Sequence, residues 1–388
     1  MKRFCYIGIL ILLGCIEERT MQQAIDPGAF IQSIRLDFAD DTNNKYAVSQ
    51  SSSYNFKLTM LDYQDVPVRI NNYKLFIGNK EYSSNVRDIL IKDTGALSVR
   101  VEAYGHISDT LQIFSRENMT YQEQQIPVVF HLISSLNILP SAILREVNNL
   151  NKQFDNTYKN RNKGLNAVNV GLQFYAVTMG PGGNILEYPG VNIINGDYPE
   201  GLKPHTFKFD STMFAKMWDP DLYLNIMVAD LSGTSYAYYP DLNSIPGDSL
   251  HNPYALFIDT SHLDSYVISH EMGHALGLPH SFGKSCKDMD HRLKDIQHYI
   301  NEPMNVDGNF RNGCTDERFL STNYMDYNTG YHNTFTYDQR EVMQNTFFKA
   351  RHFPNGINKP INGRSSGKWR GKLDPTIKPV VCSFAIDN

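Results

Sequence analysis

No long run of lysine and arginine occurs in this 388-residue sequence, and its formal net charge is −5. A nucleic-acid partner is therefore not expected. No unit recurs at a fixed period, which excludes solenoid and propeller arrays. Cysteine is scarce: Cys5, Cys15, Cys286, Cys314 and Cys382 are all there are. A dense disulfide scaffold is thereby excluded. The apolar run over residues 6–14 is too short to span a bilayer as a helix. What remains is an ordinary globular composition, 41% hydrophobic and 20% charged, long enough for two domains. Its 23 tyrosines and 21 phenylalanines suit strand-rich structure.

Against this plain background stands HEMGHALGLPH, residues 270–280. It fits H-E-x-x-H-x-x-G-x-x-H, a pattern of zinc proteases. His270 and His274 are four apart, so on a helix both rings lie on one face and can reach one Zn²⁺ at about 2.0–2.1 Å. Glu271 points about 100° away from His270, free to address a metal-bound water without ligating the metal. Gly277 can take left-handed backbone angles and let the chain leave the helix. Pro279 blocks helical continuation, and His280 can return as third ligand. Three protein ligands leave a fourth position open, the catalytic rather than the structural arrangement. Coincidental histidines on a structural helix are the bland alternative, and they would have to reproduce Gly277 and His280 at fixed offsets too. Asp264 or Ser265 is expected to cap the helix. Val267, Ile268, Met272, Ala275 and Leu276 form an apolar arc away from the histidines.

The start of the chain reads as a targeting segment. Lys2 and Arg3 precede the apolar run, which ends at Leu12-Leu13-Gly14-Cys15. That string resembles a bacterial lipoprotein box, in which the signal is cut before an acylated cysteine; a plain secretory signal is the alternative. Lipidation at Cys15 would tether the protein to a membrane through the anchor alone, its domains remaining in water. The expected location is the bacterial cell envelope, at the outer membrane, facing either the periplasm or the surface. The later cysteines then meet an oxidising compartment. Cys286 and Cys314 both lie between the zinc motif and Met325 and are paired; Cys382 is left odd, either free or a rival partner.

Residues 1–15 are read as signal peptide and lipobox, and 16–28 as a tether. From 29 to 120 apolar residues alternate with polar ones, as at Ile34, Leu36 and Phe38, or Val99, Val101 and Ala103. This predicts an antiparallel β-sandwich, immunoglobulin-like, acting as a spacer or to position substrate. Residues 125–353 change style. A buried-type strand at 126–131 precedes a helix at 141–154, strands near 171–178, 222–229 and 254–259, and the zinc helix: an α/β or α+β domain. Thr336 and Gln339 form a capping box opening a helix to about residue 351. Residues 354–388 read as an irregular tail.

The zinc motif together with Asn323-Tyr324-Met325-Asp326-Tyr327 resembles the metzincin metalloproteases. Within them the chain resembles the pappalysin group, and more narrowly the zinc-dependent metalloproteinase lipoproteins of Bacteroides-like bacteria. IPVVFHLI at 126–133, LYLNIMVADLSGTSYAYYP at 222–240 and FTYDQREVM at 335–343 support this. The resemblance implies an α+β metzincin fold and one catalytic Zn²⁺. It makes Met325 the structural methionine of a turn beneath the metal. It makes Tyr327 a phenol near the developing oxyanion, a core tyrosine being the alternative. Tyr236, Ala237 and Tyr238 would belong to an edge strand that pairs with extended substrate. The chain departs from the pappalysin pattern at Asn301-Glu302-Pro303 and at Tyr331-His332-Asn333, where a further cysteine is usual. Asp288, Asp290 and Asp307 could supply oxygens to calcium, and calcium is left out of the reading. That reading is a monomeric zinc endopeptidase acting on proteins or peptides, with Glu271 as general base. The alternatives are a non-enzymatic envelope binding lipoprotein on a protease-like scaffold, and a zinc exopeptidase.

Overall fold

The computed structural model describes residues 30–39, 46–49, 52–69, 71–117, 123–133, 138–158, 167–195, 207–240, 242, 255–314, 318–327, 331–350, 353–354 and 379–383. Cys15, the signal and the tether lie outside them, as does most of the tail, whose described stretch Val380–Ser383 is a paired strand and corrects the expected irregular tail there. Apart from residues 42–45, the chain up to Asn118 forms one compact unit and Met119–Asn388 a second. No helix among the described residues is long and apolar enough to cross a membrane.

The first unit is all β. Gly95–Ala103 is its central strand, flanked by Lys74–Ile77 and Leu111–Arg116. Ser33–Phe38 pairs with Phe56–Leu61, and Ser52–Tyr54 with Ile89–Ile91. Alternation does its expected work: Ile34, Leu36 and Phe38 are buried, as are Val99, Val101 and Ala103. The expectation of antiparallel pairing throughout needs correction. Tyr46–Ser49 joins Leu111–Arg116 in parallel. A period of two reports which face is buried, and says nothing of strand direction.

The second unit is built on a mixed sheet. Its strands are β1 (Gln124–Ile133), β2 (Leu172–Ala176), β3 (Val191–Ile194), β4 (Leu224–Ala229), β5 (Thr234–Ala237), β6 (Ala255–Asp259) and β7 (Val380–Ser383). The order is β2-β1-β4-β6-β5-β7, with β3 also paired to β1. β1 to β4 and β6 run parallel; β5 is antiparallel to β6 and to β7. β4 and β6 are buried along their whole length, the pattern of a sheet covered on both faces.

Among the described residues four α-helices accompany it: α1 (Pro140–Phe154), α2 (Phe207–Phe214), α3 (Val267–Ala275) and α4 (Tyr337–Lys349). Proline opens α1, where its missing N–H costs nothing. Ile143, Val147, Leu150 and Phe154 form its buried stripe. Asn151 of α1 both donates to and accepts from the backbone of Phe174, at 2.8 and 2.7 Å, fixing the helix to β2. α1 also holds the segment leading into α3: the Glu146 carboxylate accepts from Asp264 N–H at 2.6 Å, and Ser269 donates to Gln153. α4 opens on the expected Thr336–Gln339 capping box.

Candidate metal centre

α3 carries the zinc motif. Its N-cap, Tyr266, makes no side-chain cap. Ser265 Oγ accepts from Val267 N–H at 3.1 Å instead. Asp264 does not cap: its φ is 60° and its carboxylate pairs with Arg145 at 3.1 Å. Every residue of α3 is buried, with Ile268, Met272, Ala275 and Leu276 in the core cluster and His270 and His274 turned to the ligand cluster. His270 and His274 are buried, with the Tyr324 carbonyl and Cys382 of β7 against them.

The helix ends as its sequence requires. Gly277 adopts φ 87°, and a Cβ there would lie 2.7 Å from Thr346 Oγ1, so only glycine fits. Gly277 N–H donates to His274 O and Leu278 N–H to Gly273 O, a Schellman closure. That closure turns the Leu278 carbonyl toward His274 Nδ1, 2.7 Å away. The Tyr324 carbonyl takes His270 Nδ1 at the same distance. With both Nδ1 atoms donating, each Nε2 is left as a bare lone pair, the tautomer a metal needs.

The three rings converge. His274 Nε2 lies 3.1 Å from His270 Nε2 and 3.1 Å from His280 Nε2. Tetrahedral nitrogen ligands at about 2.0–2.1 Å from zinc stand roughly 3.3 Å apart. Burial holds all three imidazoles in the neutral, ligating form: His270 well below its ordinary value, His274 at about 4 and His280 at about 2. Lone pairs brought this close repel one another unless a cation sits between them. The donor set and its geometry therefore fit a zinc ion. Among the described residues this is the one cluster of three or more His, Cys, Asp or Glu with ligand spacing, and it has a fourth member, Cys382.

Glu271 is fully buried, with its carboxylate against the Cys382 thiol. Burial drives it well above the ordinary carboxylate range, making it a proton acceptor of raised basicity. Tyr327 sits across the site, its ring 4.8 Å from that of His280. Burial raises its phenol too, keeping it a neutral donor. Met325 lies under α3: its Sδ stands where a Gly273 Cβ would be, so the helix needs glycine there.

The turn around Met325 is held by groups that spacing did not reveal. Asp326 forms a fully buried ion pair with Arg311 at 3.4 Å and accepts from Tyr299, Ser321 and Tyr327 N–H. Arg311 also donates to the Tyr327 carbonyl at 3.1 Å. Asn323 and Gln339 exchange amide hydrogen bonds, tying the turn to α4. Cys286 and Cys314 form a disulfide, and Cys382 is free and buried. Tyr236, Ala237 and Tyr238 are buried and both tyrosine hydroxyls donate to Asp210; the expected edge strand is corrected, because β7 pairs along the outer side of β5. Asp290 and Asp307 pair with Arg292 and Arg318.

Residues 208–347 match the family model Peptidase_M43, described as pregnancy-associated plasma protein-A. No curated protein matches the chain. Among solved structures, mature mirolysin of Tannerella forsythia with a cleaved peptide is 23% identical over 58% of this chain and 92% of its own, with a TM-score of 0.45. Mirolysin in complex with compound 9 is 23% identical over 61% and 96%, with a TM-score of 0.46. Metalloproteinase-II from Bacteroides fragilis is 11% identical over 77% and 84%, with a TM-score of 0.29.

Proposed function

We infer the division of labour below for a chain whose residues 208–347 form a zinc metalloendopeptidase domain of the pappalysin group of metzincins. His270, His274 and His280 hold one zinc ion, and the convergence of their three Nε2 atoms is the observation that carries this reading. Bound there, zinc supplies Lewis acidity to the scissile carbonyl and to the attacking water. Glu271 takes that water's proton and hands it to the leaving amine. Its carboxylate suits the task because burial raises its basicity. Tyr327 donates to the developing oxyanion. With β7 displaced from it, the backbone edge of β5 aligns an extended peptide by adding a strand to the sheet. Asp326 and Arg311 hold the turn bearing Met325 rigid, so the Tyr324 carbonyl keeps His270 aimed.

A chelator is expected to abolish cleavage of an unstructured protein, and stoichiometric zinc to restore it. Cleavage that survives full metal removal would end this reading.

The all-β unit is proposed as a spacer, and Cys15 as the lipidated residue that anchors the protein to the cell envelope. Cys15→Ala should then release the protein from the membrane fraction, with loss of an acyl mass from its first tryptic peptide. A native chain without that mass would remove the anchor.

A further inference from the structure

The edge of β5 is already taken. β7 pairs with it antiparallel: Thr234 with Ser383, Ser235 with Cys382, Tyr236 with Val381, Ala237 with Val380. This pairing brings Cys382 over the histidines. Its Sγ lies 3.4 Å from His270 Nε2, 3.4 Å from His280 Nε2 and 3.5 Å from His274 Nε2. For a zinc ion with nitrogens at about 2.0–2.1 Å and a sulfur at about 2.3 Å, tetrahedral geometry puts sulfur and nitrogen roughly 3.5 Å apart. The sulfur thus completes a tetrahedron whose base is the three imidazoles. Cys382 is fully buried and packs with Tyr327 and Val267. Two independent features agree: a backbone register along the sheet edge, and a side-chain sulfur equidistant from three metal ligands.

We propose that β7 is an inhibitor built into the chain. Its backbone fills the sheet edge where an extended peptide would bind, and Cys382 fills the fourth coordination position. This deepens the metallopeptidase reading and rests on it. Three imidazoles and one thiolate leave no open position, the closed arrangement of zinc that supports structure rather than catalysis. As the sulfur binds, the Cys382 proton leaves to solvent, water gives up its place, and no electron is transferred. Displacing or removing β7 reopens the position beside Glu271 and Tyr327 and frees the β5 edge together. Tethering makes such a segment effective: at an effective concentration of about 1 mM, a segment whose free peptide binds at about 0.1 mM keeps roughly nine sites in ten closed.

Three chains test this: the full sequence, Cys382→Ala, and a chain lacking residues 379–388. Loaded with Co²⁺, the full chain should show a sulfur-to-cobalt charge-transfer band that both variants lack. Zinc should slow alkylation of Cys382 at least tenfold relative to the metal-free chain. The deletion should retain zinc and raise kcat/KM about tenfold. Added synthetic peptide 379–388 should reverse the gain, and its serine analogue should do so far less. Identical cobalt spectra in all three chains, with alkylation indifferent to zinc, would overturn the proposal. Loss of zinc from the deleted chain would make Cys382 a structural ligand and overturn the inhibitory role. A sulfur band with equal cleavage by full and deleted chains would overturn that role too. A sulfur band with no cleavage by any chain would sink the peptidase reading while leaving Cys382 as a ligand.

Discussion

Glu271→Gln should lower kcat/KM for peptide cleavage by about 10²–10⁴-fold while zinc stoichiometry stays unchanged. The substitution keeps the side chain's size and removes its capacity to take a proton. Glu271 sits one position from a ligand yet belongs to no ligand cluster, so metal binding should not depend on it. Its burial is complete, and burial raises its carboxyl well above the ordinary range. That combination is costly to fold around and is retained where a reaction uses it. The comparison is best made in the chain lacking residues 379–388, where β7 does not mask the difference. Cleavage at the undiminished rate, with zinc bound, would remove Glu271 from the mechanism.

Asp326→Ala should destabilise the catalytic unit by about 3–5 kcal/mol, because it strands the Arg311 guanidinium without its counter-ion. Both side chains are only 1% exposed, so water cannot take over. The loss should also reach the metal. Asp326 fixes the turn whose neighbouring carbonyl, Tyr324 O, orients His270, so zinc affinity should fall about 10–100-fold. The double variant Asp326→Leu with Arg311→Met removes both charges together and should recover much of the stability. Denaturant melts of the two variants, with zinc titrations alongside, check both effects. A single variant as stable as the parent would show that the buried pair carries no structural weight.

The zinc centre was legible in the sequence because its main parts are local. Three histidines, the glutamate and the helix-ending glycine fall within eleven residues, and a helix followed by one glycine turn converts their spacing into geometry. The Thr336–Gln339 capping box was legible for the same reason: its partners are three residues apart. The parts that were not legible are contacts across long separations. Cys382 comes 102 positions after His280 and reaches it only through the pairing of β7 with β5. Spacing left it an odd cysteine, whereas the sheet makes it a neighbour of every ligand. Arg311 and Asp326 meet through a loop that has no hydrophobic period. Asp210 lies 26 and 28 residues from the tyrosines that it accepts from, on a helix too short to show a clear stripe. Asp264 has the chemistry of a cap, and Arg145, 119 positions earlier, takes its carboxylate instead.

The central claim, cleavage of internal peptide bonds by a zinc site at His270, His274 and His280, is tested most directly by mapping product ends. An unstructured peptide library is digested by the zinc-loaded chain lacking residues 379–388, with and without chelator. The account predicts new termini well inside the peptides, all of them absent when the metal is removed. Release of terminal residues alone, or internal cuts that persist in chelator, would contradict it.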